Sequence, residues 1–311
     1  MDRLEAMEML VATVDEGSLS AAARKLRVPV PTLSRKVAEL EEVLGTRLLI
    51  RTTRKITLTD AGLSYVAAAR RIIELADDAQ REAAGEFITP RGDLIITAPF
   101  MFGRKYLLPI VTEFLGLFPE INMSLVMGDR YVNLMDDHID MALRMGQLPD
   151  STMIATRVGA LRRLTCASPQ LIAGHGVPRH PSDLANLPCI GTGQPGQSTS
   201  WEFREPETGK LFDVRMKARL VTSTEGAVDA AASGTGFVRL LHYQALDALA
   251  DGRLQMVLED FEPEPMPVNL VHVARGQMPL KMRRFLDFST PILRQALTKI
   301  AQGSQPVGGA S

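Results

Sequence analysis

Nine basic side chains fall between Arg24 and Lys55 (Arg24, Lys25, Arg27, Arg35, Lys36, Arg47, Arg51, Arg54 and Lys55), against three acidic ones, Glu39, Glu41 and Glu42. The chain as a whole carries a net charge of −1 over 311 residues, so this local excess can neutralise nucleic-acid phosphates or stand as a solvated charged face. Other chemistry finds little support. His138, His175, His180, His242 and His272 show no metal-ligand spacing, and no nucleophile elbow is present. Gly191-Thr-Gly-Gln-Pro-Gly196 matches G-x-G-x-x-G, but it leads into Gln197-Ser-Thr-Ser-Trp201 rather than a helix, with Pro195 inside the loop. Cys166 sits in an apolar, strand-like setting, and it and Cys189 are too few for a disulfide framework. No enzyme activity and no cofactor is expected. Two arginines of the second half, Arg144 and Arg239, can hold a carboxylate through paired N–H bonds. Arg144 can equally pair with Asp140 or Asp136.

The elements that position the basic cluster are legible. Leu4, Met7, Leu10, Val11 and Val14 recur at helical spacing. Gly17-Ser18 breaks that helix, and Ser18 can cap a second, whose Ala21, Ala22, Ala23 and Leu26 allow close helix approach. Arg27-Val-Pro29 makes a turn, and Pro31 suits the first turn of a third helix. There Leu33, Val37, Leu40 and Leu44 face inward, which turns Thr32, Arg35 and Lys36 outward with Ser34 at the border, until Gly45 ends the helix. Leu48–Arg51 and Lys55–Leu58 read as a two-stranded wing. Thr59 can cap a helix running to about Ala84, along which Ala61, Tyr65, Ala68, Ile72, Leu75 and Ala79 form a heptad seam. That seam packs on its own domain or pairs with a second copy, and its place between two domains favours pairing. Gly85 to Gly92 reads as a hinge.

From Asp93 strands and helices alternate, which implies parallel sheets with covered faces. Strand-like segments are Leu94–Thr97, Ile121–Val126, Ile139–Arg144, Leu164–Ala167, Phe237–Leu241 and Pro267–Ala274. Helical ones are Arg104–Phe118, a start near Pro169, Gly226–Ala232 and about Leu280–Lys299. The end of the chain, rich in Gly, Ser and Pro, reads as a disordered tail over 299–311.

The stretches Ser18-Leu-Ser-Ala-Ala-Ala-Arg-Lys-Leu26, Pro31-Thr-Leu-Ser-Arg-Lys-Val37, Leu44-Gly45, Arg51-Thr-Thr-Arg54 and Leu58-Thr-Asp-Ala-Gly62 closely resemble the LysR-type transcriptional regulators. Weaker matches follow at Phe118-Pro119, Asp140–Gly146, Pro181–Leu184 and Gly234-Thr-Gly236. The resemblance implies an α+β multidomain chain. Residues 1–59 would form a winged helix-turn-helix and 60–92 a dimerising linker helix with its hinge. Residues 93–298 would form an α/β effector domain like a periplasmic binding protein, with lobe I at 93–161 and 267–298 and lobe II at 162–266. It also suggests a tetramer on DNA.

The second motif helix of such proteins presents its N-terminal residues to the major groove. Candidate DNA contacts are Ser18, Val30, Pro31, Thr32, Ser34, Arg35 and Lys36, with Arg51, Thr52 and Arg54 at the wing. Arg35 can fork onto guanine. Val30 departs from the family, where a polar residue is common; it can touch a thymine methyl but not hydrogen-bond a base. Arg51 reaches phosphate or a minor groove, or pairs with the Glu39–Glu42 cluster. Candidate effector contacts, expected between the lobes, are Thr97, Ala98, Pro99, Phe100, Arg144, Gly146, Thr192, Thr222, Ser223 and Arg239. The expected partners are double-stranded DNA at a dyad site, a small, anionic effector and a second copy of the chain; RNA polymerase is a further partner the class admits. No apolar run reaches membrane-spanning length and no secretory segment opens the chain, so a cytoplasmic location is expected. A periplasmic-type solute-binding protein is the rival reading for residues 93–298.

Overall fold

The computed structural model describes residues 2–51, 56–83, 89–129, 132–134, 137–148, 153–193, 200–273 and 278–303. Its N-terminal unit packs α1 (Arg3–Asp15), α2 (Leu19–Leu26) and α3 (Val30–Leu44) around Ala6, Leu10, Ala22, Leu33, Val37 and Leu40, all buried. The caps act as their residue types predict. The Ser18 hydroxyl accepts from the Ala21 amide at 3.1 Å, Pro31 lies in the first turn of α3, and Gly45 closes it at φ 66°. β1 (Leu49–Arg51) pairs antiparallel with β2 (Ile56–Leu58), giving the wing. Thr53 and its neighbours at 52–55 lie outside the described residues.

The long linker helix α4 (Asp60–Ala83) starts at a Thr59 cap, whose hydroxyl accepts from the Gly62 amide at 2.9 Å. Here a glycine is required by space: a Cβ on Gly62 would stand 2.0 Å from the Leu48 carbonyl oxygen. Val66 and Ala69 turn inward, whereas Ala61, Ala68, Ile72 and Ala79 are exposed. The heptad seam is therefore exposed at four positions, while Tyr65 packs against the N-terminal core and Leu75 is half-buried. Half of the expected hinge, residues 85–88, lies outside the described ones.

Two five-stranded sheets build the remainder. Lobe I orders its strands β4 (Ile121–Met127), β3 (Gly92–Ala98), β5 (Met141–Met145), β14 (Met266–Val273) and β6 (Met153–Leu161). Over it lie a short turn α5 (Phe100–Phe102), a π-helical stretch Gly103–Leu107, α6 (Leu108–Leu117) and α10 (Leu280–Ala301). Lobe II orders β11 (Ala218–Thr222), β8 (Cys189–Thr192), β12 (Phe237–Leu241), β7 (Arg163–Ala167) and β13 (Gln255–Val257). Its helices are α7 (Pro169–His175), α8 (Thr224–Ala232) and α9 (His242–Ala250), and β9 (Ser200–Arg204) with β10 (Leu211–Arg215) forms a separate hairpin.

The sheets are mixed, not parallel as alternation suggests. β3 is parallel to β4 and β5, but β14 runs antiparallel to both β5 and β6. β12 is parallel to β8 and antiparallel to β7. The reason is connectivity: β6 and β14 carry the chain into lobe II and back, side by side, so they must run in opposite directions. The last helix also extends to Ala301, which moves the start of the expected tail beyond residue 299; residues 304–311 lie outside the described ones.

Candidate functional site

At 100° per residue, Arg35 stands almost diametrically opposite the buried Leu33–Val37–Leu40 stripe. Its side chain is 65% exposed and pairs with Glu39 at 2.8 Å, an i,i+4 contact along the same surface. Such an exposed pair contributes only about 0.3–0.5 kcal/mol, so the guanidinium exchanges it readily for a base edge or phosphate. Val30 and Pro31 are exposed beside it at the N-terminal end of α3, with Thr32 and Ser34 half-buried. Lys36 differs from expectation. It flanks the apolar stripe, bends back and pairs with Glu5 of α1, leaving its side chain 17% exposed. It braces α3 against α1 and does not face outward.

The Glu39–Glu42 cluster is largely committed elsewhere: one Glu41 oxygen accepts from the Leu48 and Leu49 amides at 2.8 and 3.0 Å, tying the wing to α3. Sequence reading missed this bond. Thr52 and Arg54 lie outside the described residues, and of Arg51 only the backbone, in β1, is described.

Six of the effector candidates line two cavities. Thr97, Ala98, Pro99 and Arg144, with Asp129, line about 210 Å3 at the carboxyl ends of β3 and β5 in lobe I. Arg144 donates to the Val132 carbonyl. It does not take Asp140, which instead accepts from the Ile95 amide at 2.8 Å and faces Arg71 of the linker at 3.6 Å; Asp136 is not among the described residues. Phe100 is 39% exposed, its amide donating to Asp129. In lobe II, Thr192 and Arg239 line a second cavity of about 300 Å3 with Arg163, Ser200, Glu202 and Met266. Thr222 pairs with Thr192 across parallel strands, and Ser223 caps α8 through the Gly226 amide at 3.3 Å, both beside this cavity at Thr224. Gly146 lines neither cavity; at φ 103° it donates to the Pro267 carbonyl at 2.9 Å, between Met145 of the lobe I lining and Met266 of the lobe II lining.

Arg239 is the electrostatic anomaly. It is 9% exposed, and among the described residues none of its three guanidinium nitrogens finds an acceptor. Burial, and then the like charge of Arg163, pull its pKa down to about 10. The cysteines behave as core. Cys166 and Cys189 pack into different clusters of lobe II, and burial pushes both thiols up to about 12, which keeps them protonated. Among the described residues no His/Cys/Asp/Glu cluster could hold a metal ion, and no helix is long and apolar enough to cross a membrane.

A winged helix-turn-helix joined by one long helix to a two-lobed, cavity-bearing α/β domain defines a ligand-responsive DNA-binding regulator. Comparison with known proteins gives the family. Residues 4–63 match the bacterial regulatory helix-turn-helix protein, lysR family, and residues 89–293 match the LysR substrate binding domain. The transcriptional regulator CrgA of Neisseria meningitidis is 32% identical, covering 91% of this chain and 95% of its own; its solved structure superposes with a TM-score of 0.58 over 93% and 98% of the two chains. The regulator LtrA of Klebsiella pneumoniae is 30% identical over 97% and 99%. The full-length structure of AphB, a virulence activator of Vibrio cholerae, is 26% identical with a TM-score of 0.57, covering 92% and 98%. The chain belongs to the LysR family of transcriptional regulators. It pairs a DNA-binding domain with an effector-binding one, and the relatives named here are regulators, not enzymes.

Proposed function

We propose that this regulator reads a dyad-symmetric duplex site as a dimer and responds to a small anionic metabolite held between its lobes. Arg35, at the exposed N-terminal end of α3, reads a guanine, while Val30 packs on a thymine methyl and the wing residues Arg51, Thr52 and Arg54 follow the phosphates. The observation that carries the DNA reading is the exposure of Arg35, opposite the buried stripe and held, among the described residues, by one solvent-facing pair. Pairing of two chains along the exposed part of the α4 seam sets the two recognition helices at successive half-sites. Arg144 and Arg239, one in each cavity, support an anionic effector.

Gel-shift titration on matched and scrambled sites tests the first part. Arg35→Ala should weaken the matched site by about tenfold or more, the loss of one bidentate base contact, with a smaller change on scrambled DNA. Equal losses on both would remove Arg35 from base readout.

A further inference from the structure

A buried guanidinium with no acceptor is costly, and lobe II buries one beside another. Arg239 lies on β12 and Arg163 on the neighbouring β7, two residues along from Arg239's partner Thr165, so the two side chains share one face of the sheet. Phe203 covers the flat face of the Arg239 guanidinium, 4.1 Å from ring centroid to carbon. This leaves the N–H edges as its only polar outlet. Those three nitrogens and Nε of Arg163 are buried without an acceptor among the described residues. The nearby carboxylates do not supply one. Glu202, on the cavity wall, faces the other end of Arg163 at 3.6 Å. Glu262 is taken by Arg162 through two bonds, at 2.8 and 2.9 Å. Two positive charges and one negative line the cavity, so a single negative charge brings it to neutrality.

We infer that the lobe II cavity is the anion seat, and that it takes a small monocarboxylate whose two oxygens are forked by Arg239 with help from Arg163 Nε. A carboxylate matches the planar edge in two parallel N–H···O bonds. A dianionic phosphate overshoots the charge, and about 300 Å3 is at the small end of ligand cavities. The regulatory meaning of this seat rests on the interlobe reading above; lobe I then contacts the remainder of the same molecule.

The test is thermal unfolding and calorimetric titration of the full chain with propionate, benzoate and inorganic phosphate. The wild-type protein should be stabilised by at least one of the two carboxylates and not by phosphate. Arg239→Met should raise the melting temperature of the ligand-free protein, since an unpaired buried charge is gone, and weaken the carboxylate about tenfold or more. Arg239→Lys should recover only part of the affinity, having charge without the fork. A lowered melting temperature in Arg239→Met with unchanged affinity would show a purely structural arginine and overturn the assignment, as would stabilisation by phosphate alone or by none of the three. Loss of binding in Arg144→Met but not in Arg239→Met would overturn it while leaving an anionic effector between the lobes standing. Binding through Arg239 with no change in promoter output would instead sink the effector reading and leave the seat in place.

Discussion

Single residues show how far local chemistry reaches here. Gly62 closes a family-like stretch, Leu58-Thr-Asp-Ala-Gly62, and its reason is the Leu48 carbonyl against which a Cβ would collide. Gly62→Ala should therefore destabilise the DNA-binding domain by about 1–3 kcal/mol, read as a lower denaturant midpoint; a neutral effect would show that the wing yields freely. Ser18→Ala should cost about 1 kcal/mol through the lost cap, read as a lower denaturant midpoint. His242 makes stability depend on pH. It is 6% exposed, and burial, then Arg162, lower its pKa from the ordinary 6.5. The unfolded chain thus binds the proton first, and stability falls as pH drops below about 6.5. His242→Gln should flatten that slope in melts between pH 7 and 5; an unaltered slope would place the acid sensitivity elsewhere.

At the scale of elements, the linker helix carries the clearest expectation. Its outer seam exposes Ile72 at 44%, along with Ala61, Ala68 and Ala79. Ile72→Asp should convert the solution species to monomer in sedimentation and abolish high-affinity binding to a two-half-site duplex. A stable dimer in that variant would move the self-association to another surface. The helices of the first 80 residues were legible because apolar spacing, caps and breaking glycines agree with one another. The same regularity hid Lys36, which lies only about 40° from Leu40 around the helix and so borders the core; that angle was the signal available. The effector domain was less readable. The nine-residue β6 has no clean alternation, the hairpin β9–β10 is short, and α9 follows β12 with no intervening breaker. Strand direction is set by partners over a hundred residues away, as in β14 against β6, and no local pattern encodes it. Arg144 and Arg239 were readable as carboxylate binders, but their division between two cavities was not.

Across the whole molecule, ion pairs among the described residues fasten the linker helix to lobe I. Glu74 accepts from Lys281 at 2.6 Å, a pair in which the lysine is nearly buried and also donates to the Asp93 carbonyl, and Arg71 faces Asp140. Asp93 and Asp140 stand at the amino ends of β3 and β5, whose carboxyl ends line the lobe I cavity. Lys281→Met removes the bonds to Glu74 and to the Asp93 carbonyl, so amide exchange along α4 and at Ile95 should quicken. Unchanged exchange would mean that the fastening bears no strain.

The two lobes are likewise less separable than their sheets suggest. Helix α9 grows from the lobe II sheet, yet its Tyr243 and Leu246 belong to the core of lobe I, with Tyr243 edge-on to Phe102 at 5.2 Å and Asp247 bonded to Lys105 at 2.9 Å. A clamshell that swings wide would have to pull that tyrosine out of an aromatic nest. Whatever movement a ligand provokes is thereby confined to sliding of packed surfaces over short distances, and the halves should melt together, in one calorimetric peak rather than two.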